Sequence, residues 1–450
     1  MLSQQHNDKL CLTGPGTPMG DVFRRFWMPA LLSREIAEPD SAPVRVRLLG
    51  EDFVAFRDSE GHAALVDPHC PHRGANLFFG RNEKGGIRCA YHGWKFSRTG
   101  ECLDMPSVPC ASDYRNTIRL KTYPVRESGG MLWAYLGPEG TAPELPQFEF
   151  AEVPEAQRYV SKKRQQCNWA QCCEGAIDTA HFSFLHMALS DDEDEMQAAM
   201  AHSDLGATDK MKRRIRWIKQ DGVPRFSIQP HDAGFLVGAA RHADGDEIYW
   251  RISQFLMPNH SLAPGAFPGE NHHGQTFVPI DDHSCWIYCY SWNPQRALSE
   301  DERAKFIAGQ GIHAEVDAQF MPVRNRDNDY LIDREEQRLR TFTGIKGLSE
   351  QDACIQDSQG FIADRTREHL GPTDLAIVHF RRAMLRAADA LSTGTAPPST
   401  AHPEAYHVRS GALLAHKETS LEQAMVFHHA DPAWRIQPTP SAVPPHEPTR

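Results

Sequence analysis

The chain has 450 residues, of which 40% are hydrophobic and 24% charged, and a formal net charge of −11. That length predicts two or three domains with ample chain to bury a core. The acidic balance argues against nucleic acid or an anionic membrane as a general partner. No run approaches the roughly 18 apolar residues that a membrane span needs. The start, MLSQQHNDKLCLTGPG, has no apolar signal region. The 11 Cys are an odd number without framework spacing, which suits reduced thiols. A cytoplasmic protein with no membrane span is therefore expected.

Within residues 1–43, Gly14, Pro15 and Gly16 mark a turn. Phe23, Trp27 and Leu31 recur at helical spacing and predict a helical lid packed on the next part of the chain. Residues 44–145 read as all-β. VRVRLL (44–49), DFVAFRD (52–58) and HAALVD (62–67) are short strand patterns. TIRLKTYPVRE and MLWAYLG supply two more.

Between these strands lies a metal signature, Cys-Pro-His at 70–72 and Cys-Ala-Tyr-His at 89–92. A structural zinc site is the competing reading. The interleaved order, one Cys and one His in each half, disfavours it. Each half follows a strand and sits in a loop rich in Gly and aromatics. Two thiolates on one iron and two imidazoles on the other is Rieske ligation. The string CPHRGANLFFGRNEKGGIRCAYHGWKF resembles the Rieske domain of aromatic-ring hydroxylating oxygenases. The resemblance implies a 2Fe–2S cluster with Cys70 and Cys89 on the inner iron and His72 and His92 on the outer one.

A Pro-rich connection (Pro143, Pro146, Pro154) leads into NWAQCCEGAIDTAHFSFLHMA at 168–188. Two imidazoles and a carboxylate are the ligands of non-haem Fe(II) oxygenases. The string resembles the iron-binding helix of Rieske oxygenase α subunits. That implies His181 and His186 as iron ligands and Asp178 as a carboxylate bridging to a neighbouring subunit, with Asn168 near the iron. On an ideal helix, at 100° per residue, His181 and His186 would stand about 140° apart. Joint ligation therefore requires the helix to end or loosen between them. The third ligand must be a distant carboxylate. The resemblance favours Asp352, ahead of an apolar helix with Ser358 six residues on, with Asp357 next. SDDEDEMQ (190–197) is expected to be an acidic, mobile entrance loop. FSIQPHDAGFLVGAARHADGDEIYWRISQFLMP reads as a strand series lining a substrate pocket. FRRAMLRAADAL (380–391) reads as an amphipathic helix.

The fold class expected is α+β: an N-terminal all-β Rieske domain and a C-terminal catalytic domain with an antiparallel sheet and helices, of helix-grip type. The expected boundaries are 1–145 (Rieske core about 44–145), 146–391 for the catalytic iron domain, and 392–450 for a Pro-rich linker and partly disordered tail. The resemblance covers roughly residues 10–391, and the segment from NDYLIDREEQ through TFTGIKGLSEQDACIQDSQGFIADRTREHLGPTDLAIVHFRRAML looks most like the phthalate dioxygenase group. The resemblance implies an α-only oxygenase, commonly a trimer. It also implies electrons from NADH through a flavin and iron–sulfur reductase, a mononuclear Fe(II), O2, and an aromatic acid as substrate. Ring dihydroxylation is the leading expectation, with monooxygenation or O-demethylation of a methoxy- or aryl-ether acid as the alternative. A Rieske electron carrier would leave His181 and His186 unexplained. Arg241 stands where phthalate-type enzymes keep a carboxylate-binding Arg, and Thr179 where they carry Ser. A second Arg expected around 207 is absent from GATDKMKRR, which leaves Arg213 or Arg214 as substitutes.

Overall fold

The structure is a computed structural model. It describes residues 1–109, 112–190, 192, 209–267 and 269–430. Most of the expected entrance loop and the expected disordered end, 436–450, lie outside the described residues.

Two short helices, α1 (Gln4–Cys11) and α2 (Pro18–Phe23), open the chain. Thr17 caps α2 and Pro18 occupies its first turn, where a missing N–H costs nothing. The helix expected through Phe23, Trp27 and Leu31 does not continue. Trp27–Leu32 is instead strand β1, buried at every position. Pro29 cannot donate within a helix, and the segment pairs antiparallel with Met131–Tyr135. Phe23 packs edge-on against Trp169, 4.8 Å between ring centres, so the opening helices lie on the catalytic core.

The metal signature sits between two four-stranded sheets. One comprises β2 (Val44–Leu48), β3 (Glu51–Arg57), β4 (Ala63–Val66) and a later short strand, Thr122–Tyr123. The other is built from Arg81–Glu83, Gly86–Arg88, Lys95–Ser97 and Cys102–Asp104. A separate small core of Val54, Phe56, Leu77, Ile87, Trp94 and Phe96 fills the space and includes Cys70 and Cys89. Backbone N–H groups of Leu49 and Gly50 donate to Pro279 and Ile280 of the larger sheet at 2.9 and 2.8 Å.

The larger, antiparallel sheet has eight strands. Three of them matter for the site: the hairpin Arg225–His231 and Gly234–His242, and the next strand, Glu247–Leu256. Gly411–His416 pairs with that last strand from Ile252 to Glu247. The segment expected to be linker and tail therefore returns to the sheet, and the expected catalytic boundary at 391 falls short. The apolar Ala412–Leu413–Leu414–Ala415 run is too short to stand out among Pro-rich neighbours, yet it covers what would be an open strand edge. Helices Trp169–Ile177 (α3), Leu348–Ser358 (α4) and Leu375–Ser392 (α5) cover the sheet. The last begins five residues before the amphipathic pattern expected at 380. All strands and helices agree with the expected α+β class.

Two half-buried histidines of this sheet predict an acid limit. Burial pushes His231 and His273 each down to about 4. Each therefore takes up its proton on unfolding between the unfolded value of about 6.5 and pH 4, so the unfolded chain binds more protons there. Stability is then present above pH 6.5 and lost on acidification, by about 1.4 kcal/mol per pH unit per group at most. The thermal midpoint should be flat from pH 7 to 8 and fall steadily below 6.5. A midpoint unchanged down to pH 5 would contradict this.

Candidate metal centre and substrate site

The two halves of the Cys/His signature fold alike. Gly74 N–H returns to Cys70 C=O at 2.9 Å, and Gly93 N–H to Cys89 C=O at 3.1 Å. Both glycines have positive φ, 72° and 75°, a turn that a side chain would strain. Cys70 and Cys89 are buried, at 2% and 4% exposure, while His72 and His92 are half-exposed at the loop tips. The two imidazoles meet edge-on, 4.4 Å between ring centres, and Trp94 stacks on His72 at 4.3 Å. Buried His92 Nδ1 has no hydrogen-bond partner. Burial pushes the Cys70 thiol up to about 11, aided by the neighbouring Cys89. An unpartnered imidazole nitrogen, two inner thiols and two outer histidines fit a Rieske cluster.

The second centre starts at the end of α3. Asn168 caps this helix through Oδ1, which accepts from Ala170 N–H at 3.0 Å. Its Nδ2 donates to the carbonyls of Cys11 and Asp282 at 2.9 and 2.8 Å. The side chain is fully used and stands at the opposite end of the helix from Asp178, roughly 15 Å along the axis at 1.5 Å per residue. Its expected place near the iron is therefore corrected to a buried cap.

The helix ends at Ile177. Asp178 is its C-cap, with extended backbone. A 3-10 turn follows at His181–Ser183, and Phe184 leaves helical geometry at φ −128°. This break supplies the rotation that a regular helix would deny. His181 Nε2 and His186 Nε2 come within 3.3 Å of each other. Asp352 Oδ1 lies 3.4 Å from the first and 3.3 Å from the second. The three atoms form a nearly equilateral triangle, the separation expected for ligands about 2.0–2.1 Å from one ion. Asp352 sits inside α4 rather than ahead of a helix, because the first turns of α4 face the two imidazoles. Asp357, the second candidate, is turned away and bonded to the Tyr330 hydroxyl.

Each histidine is oriented through its other nitrogen. His181 Nδ1 lies 3.4 Å from Asp178 Oδ2, and His186 Nδ1 lies 2.7 Å from Gln351 Oε1. Both arrangements aim Nε2 into the triangle with Asp352 Oδ1. Burial opposes charge on His181, but bonds to Asp178 and Asp352 outweigh it and raise the group to about 10. Asp352 is held well below the usual carboxylate range, the two histidines outweighing its burial. Once an ion displaces the His181 proton, two imidazoles and one carboxylate form a donor set that suits Fe(II) with open positions.

Gln351 carries no signal in the sequence, where it is only the neighbour of Asp352. Its amide bridges His186 to the carbonyl of Ile345, with Nε2 donating at 2.7 Å. Gln351→Ala should weaken iron affinity by roughly 10–100-fold, read by chelator competition. An unchanged affinity would show that packing alone orients His186.

Thr179, Arg241 and the metal centre come together. The Thr179 carbonyl accepts from Arg241 Nη2 at 2.7 Å, two residues before His181. Arg241 is wholly buried, and burial pushes it down to about 10. Arg213 and Arg214 are spent elsewhere: Arg213 pairs with Asp244 at 3.1 Å and Arg214 with Glu270 at 2.6 Å.

Residues 26–124 match the Rieske 2Fe–2S domain family. Residues 134–427 match the family described as LigXa C-terminal domain like. The chain is 36% identical over 438 residues to the 3-chlorobenzoate-3,4-dioxygenase oxygenase subunit of Comamonas testosteroni, covering 94% of this chain and 98% of that one. It is 38% identical over 402 residues to the phthalate 4,5-dioxygenase oxygenase subunit of Pseudomonas putida, covering 88% of each. The chain belongs to the Rieske non-haem iron oxygenases. It is thus an oxidoreductase of the oxygenase-subunit type, and this family carries a Rieske cluster and a mononuclear iron. The fold is also that of the terminal oxygenase of carbazole 1,9a-dioxygenase from Novosphingobium sp. KA1. The TM-score is 0.54 at 19% identity, over 84% of this chain and 96% of that one. No helix among the described residues is long and apolar enough to cross a membrane.

Proposed function

We propose that this Rieske oxygenase inserts oxygen from O2 into an aromatic carboxylate, by ring dihydroxylation of a benzoate- or phthalate-like acid. The observation that carries the reading is the His181–His186–Asp352 triangle beside a buried Arg241. His181, His186 and Asp352 would hold the mononuclear iron, and Cys70, His72, Cys89 and His92 the cluster. Bound there, Fe(II) supplies open positions for dioxygen activation.

The protein's own part is orientation and charge. Asp178 fixes His181 through Nδ1, and Ala180 N–H holds Asp178 Oδ1 at 2.7 Å. Asp178 remains about a quarter exposed, which suits a carboxylate shared with a neighbouring subunit in a homotrimer. Arg241 offers a fixed guanidinium for the substrate carboxylate, with Thr179 positioning it. Two similar chains are named as dioxygenase subunits for 3-chlorobenzoate and phthalate, which supports an aromatic acid. Electrons would come from NADH through a flavin and iron–sulfur reductase.

The test is a product assay under ¹⁸O2. Purified protein, a reductase and NADH are given benzoates, phthalates and methoxybenzoates. Two labelled oxygens in a cis-diol acid are expected. A single labelled oxygen or formaldehyde release would replace dihydroxylation by monooxygenation or O-demethylation. Turnover of neutral aromatics alone would overturn the carboxylate reading.

A further inference from the structure

We propose that Arg251, with Arg241, forms a two-arginine seat for the substrate carboxylate, so that Arg251 is a specificity-determining residue. The inference rests on the aromatic-acid reading above and goes beyond it in naming the second cation.

The strand register places the two side by side. Arg241 stands opposite Tyr249, and Arg251 opposite Ala239. Alternate residues of a strand share a face, so Arg241 and Arg251 lie diagonally on one face of the sheet. Thr179 ties both to the metal loop. Its carbonyl accepts from Arg241, and its Oγ1 accepts from Arg251 Nε at 3.2 Å. The Arg251 guanidinium also lies over the Phe182 ring, 4.4 Å from its centre, and Phe182 packs on His186 at 4.7 Å. A group bound by Arg251 is therefore one aromatic ring away from a metal-binding histidine.

Among the described residues neither cation has a counter-ion. Arg251 is 7% exposed and Arg241 is wholly buried, yet neither makes an ion pair among the described residues. Two described carboxylates nearby are committed elsewhere. Asp221 accepts from His242 N–H at 2.8 Å, and Asp178 accepts from Ala180 N–H and faces His181. Arg241 Nη1 is buried with no hydrogen-bond partner, and so is the Ser253 hydroxyl on the same face, two residues beyond Arg251. Two desolvated guanidiniums side by side repel, and such a pair is retained at a cost that an anion would remove. A planar carboxylate accepts from two guanidinium forks at once.

The experiment compares Arg251→Gln and Arg251→Lys with the unchanged holoenzyme. Substrates are an aryl carboxylate turned over by the unchanged enzyme and the carboxamide of the same ring. Iron content and the cluster spectrum report folding. With Arg251→Gln, KM for the acid should rise roughly 10–100-fold, with kcat changed far less and the carboxamide KM unchanged or lower. Arg251→Lys keeps a charge without the fork and should recover part of the acid's KM. Equal losses for acid and amide would mean that Arg251 only supports the loop, and would overturn the inference while leaving the aromatic-acid reading intact. An unchanged enzyme that oxidises only neutral rings would overturn both. Should Arg251→Gln lose iron or colour, Arg251→Lys alone decides: acid and amide KM both unchanged would overturn the inference.

Discussion

Replacing His181 by Ala is expected to cut turnover by at least about a thousandfold, because on the proposed reading it removes one of the three side chains that would hold the iron, and the metal's contribution with it. The 2Fe–2S absorption should stay. The cluster residues belong to a separate small core between two short sheets, and His181 belongs to the loop after α3. His186 and Asp352 would remain 3.3 Å apart but could not enclose an ion alone. Loss of colour together with activity would show that the two centres do not fold independently. Turnover within tenfold of the unchanged enzyme would remove His181 from the ligand set.

Glu174→Ala should destabilise the catalytic unit by about 3–5 kcal/mol, the cost of breaking a buried ion pair from one side. Glu174 receives three hydrogen bonds from Arg365, at 2.9, 3.0 and 3.3 Å, and one from Arg381 at 2.7 Å. Burial works against its charge, yet the two arginines outweigh this and hold its carboxyl below the usual range. Arg381 also pairs with Glu368, so it keeps a partner. Arg365 is wholly buried and would keep only neutral partners, with Asn7 Oδ1 at 3.1 Å. The network joins α1, α3 and α5 just behind the turn that carries Asp178 and His181. Denaturant unfolding read by tryptophan fluorescence checks the magnitude. Iron affinity should fall in parallel. A loss under 1 kcal/mol would mean that the arginines relax to other partners.

The residues differ in how much they disclose. Cys70, His72, Cys89 and His92 are legible because each half of the site is local: two ligands within four residues, closed by one glycine turn. His181 and His186 are legible as ligand types, and simple helical geometry requires the break that the structure contains at 178–184. Asp352 lies 166 residues beyond His186, and only the spacing to Ser358 that the resemblance supplies favours it over Asp357; packing of α4 turns one inward and gives the other to Tyr330. Asn168 misleads because an Asn before a helix serves equally as a cap and as a polar site group. Arg251 is invisible in sequence because its meaning depends on strand register: it reaches Thr179 only through pairing with the strand that carries Arg241. The strand Gly411–His416 is hidden by its Pro-rich surroundings, and β1 by an apolar spacing compatible with a helix.

The most direct test of the account is the amount of iron and acid-labile sulfide in the purified protein. Two iron and two sulfide belong to the Rieske cluster and one further iron to the His181–His186–Asp352 site, so three iron and two sulfide per chain are predicted. Two iron and two sulfide in a fully metallated preparation, unchanged by Asp352→Ala, would contradict a second metal centre and with it the oxygenase chemistry assigned to this triangle.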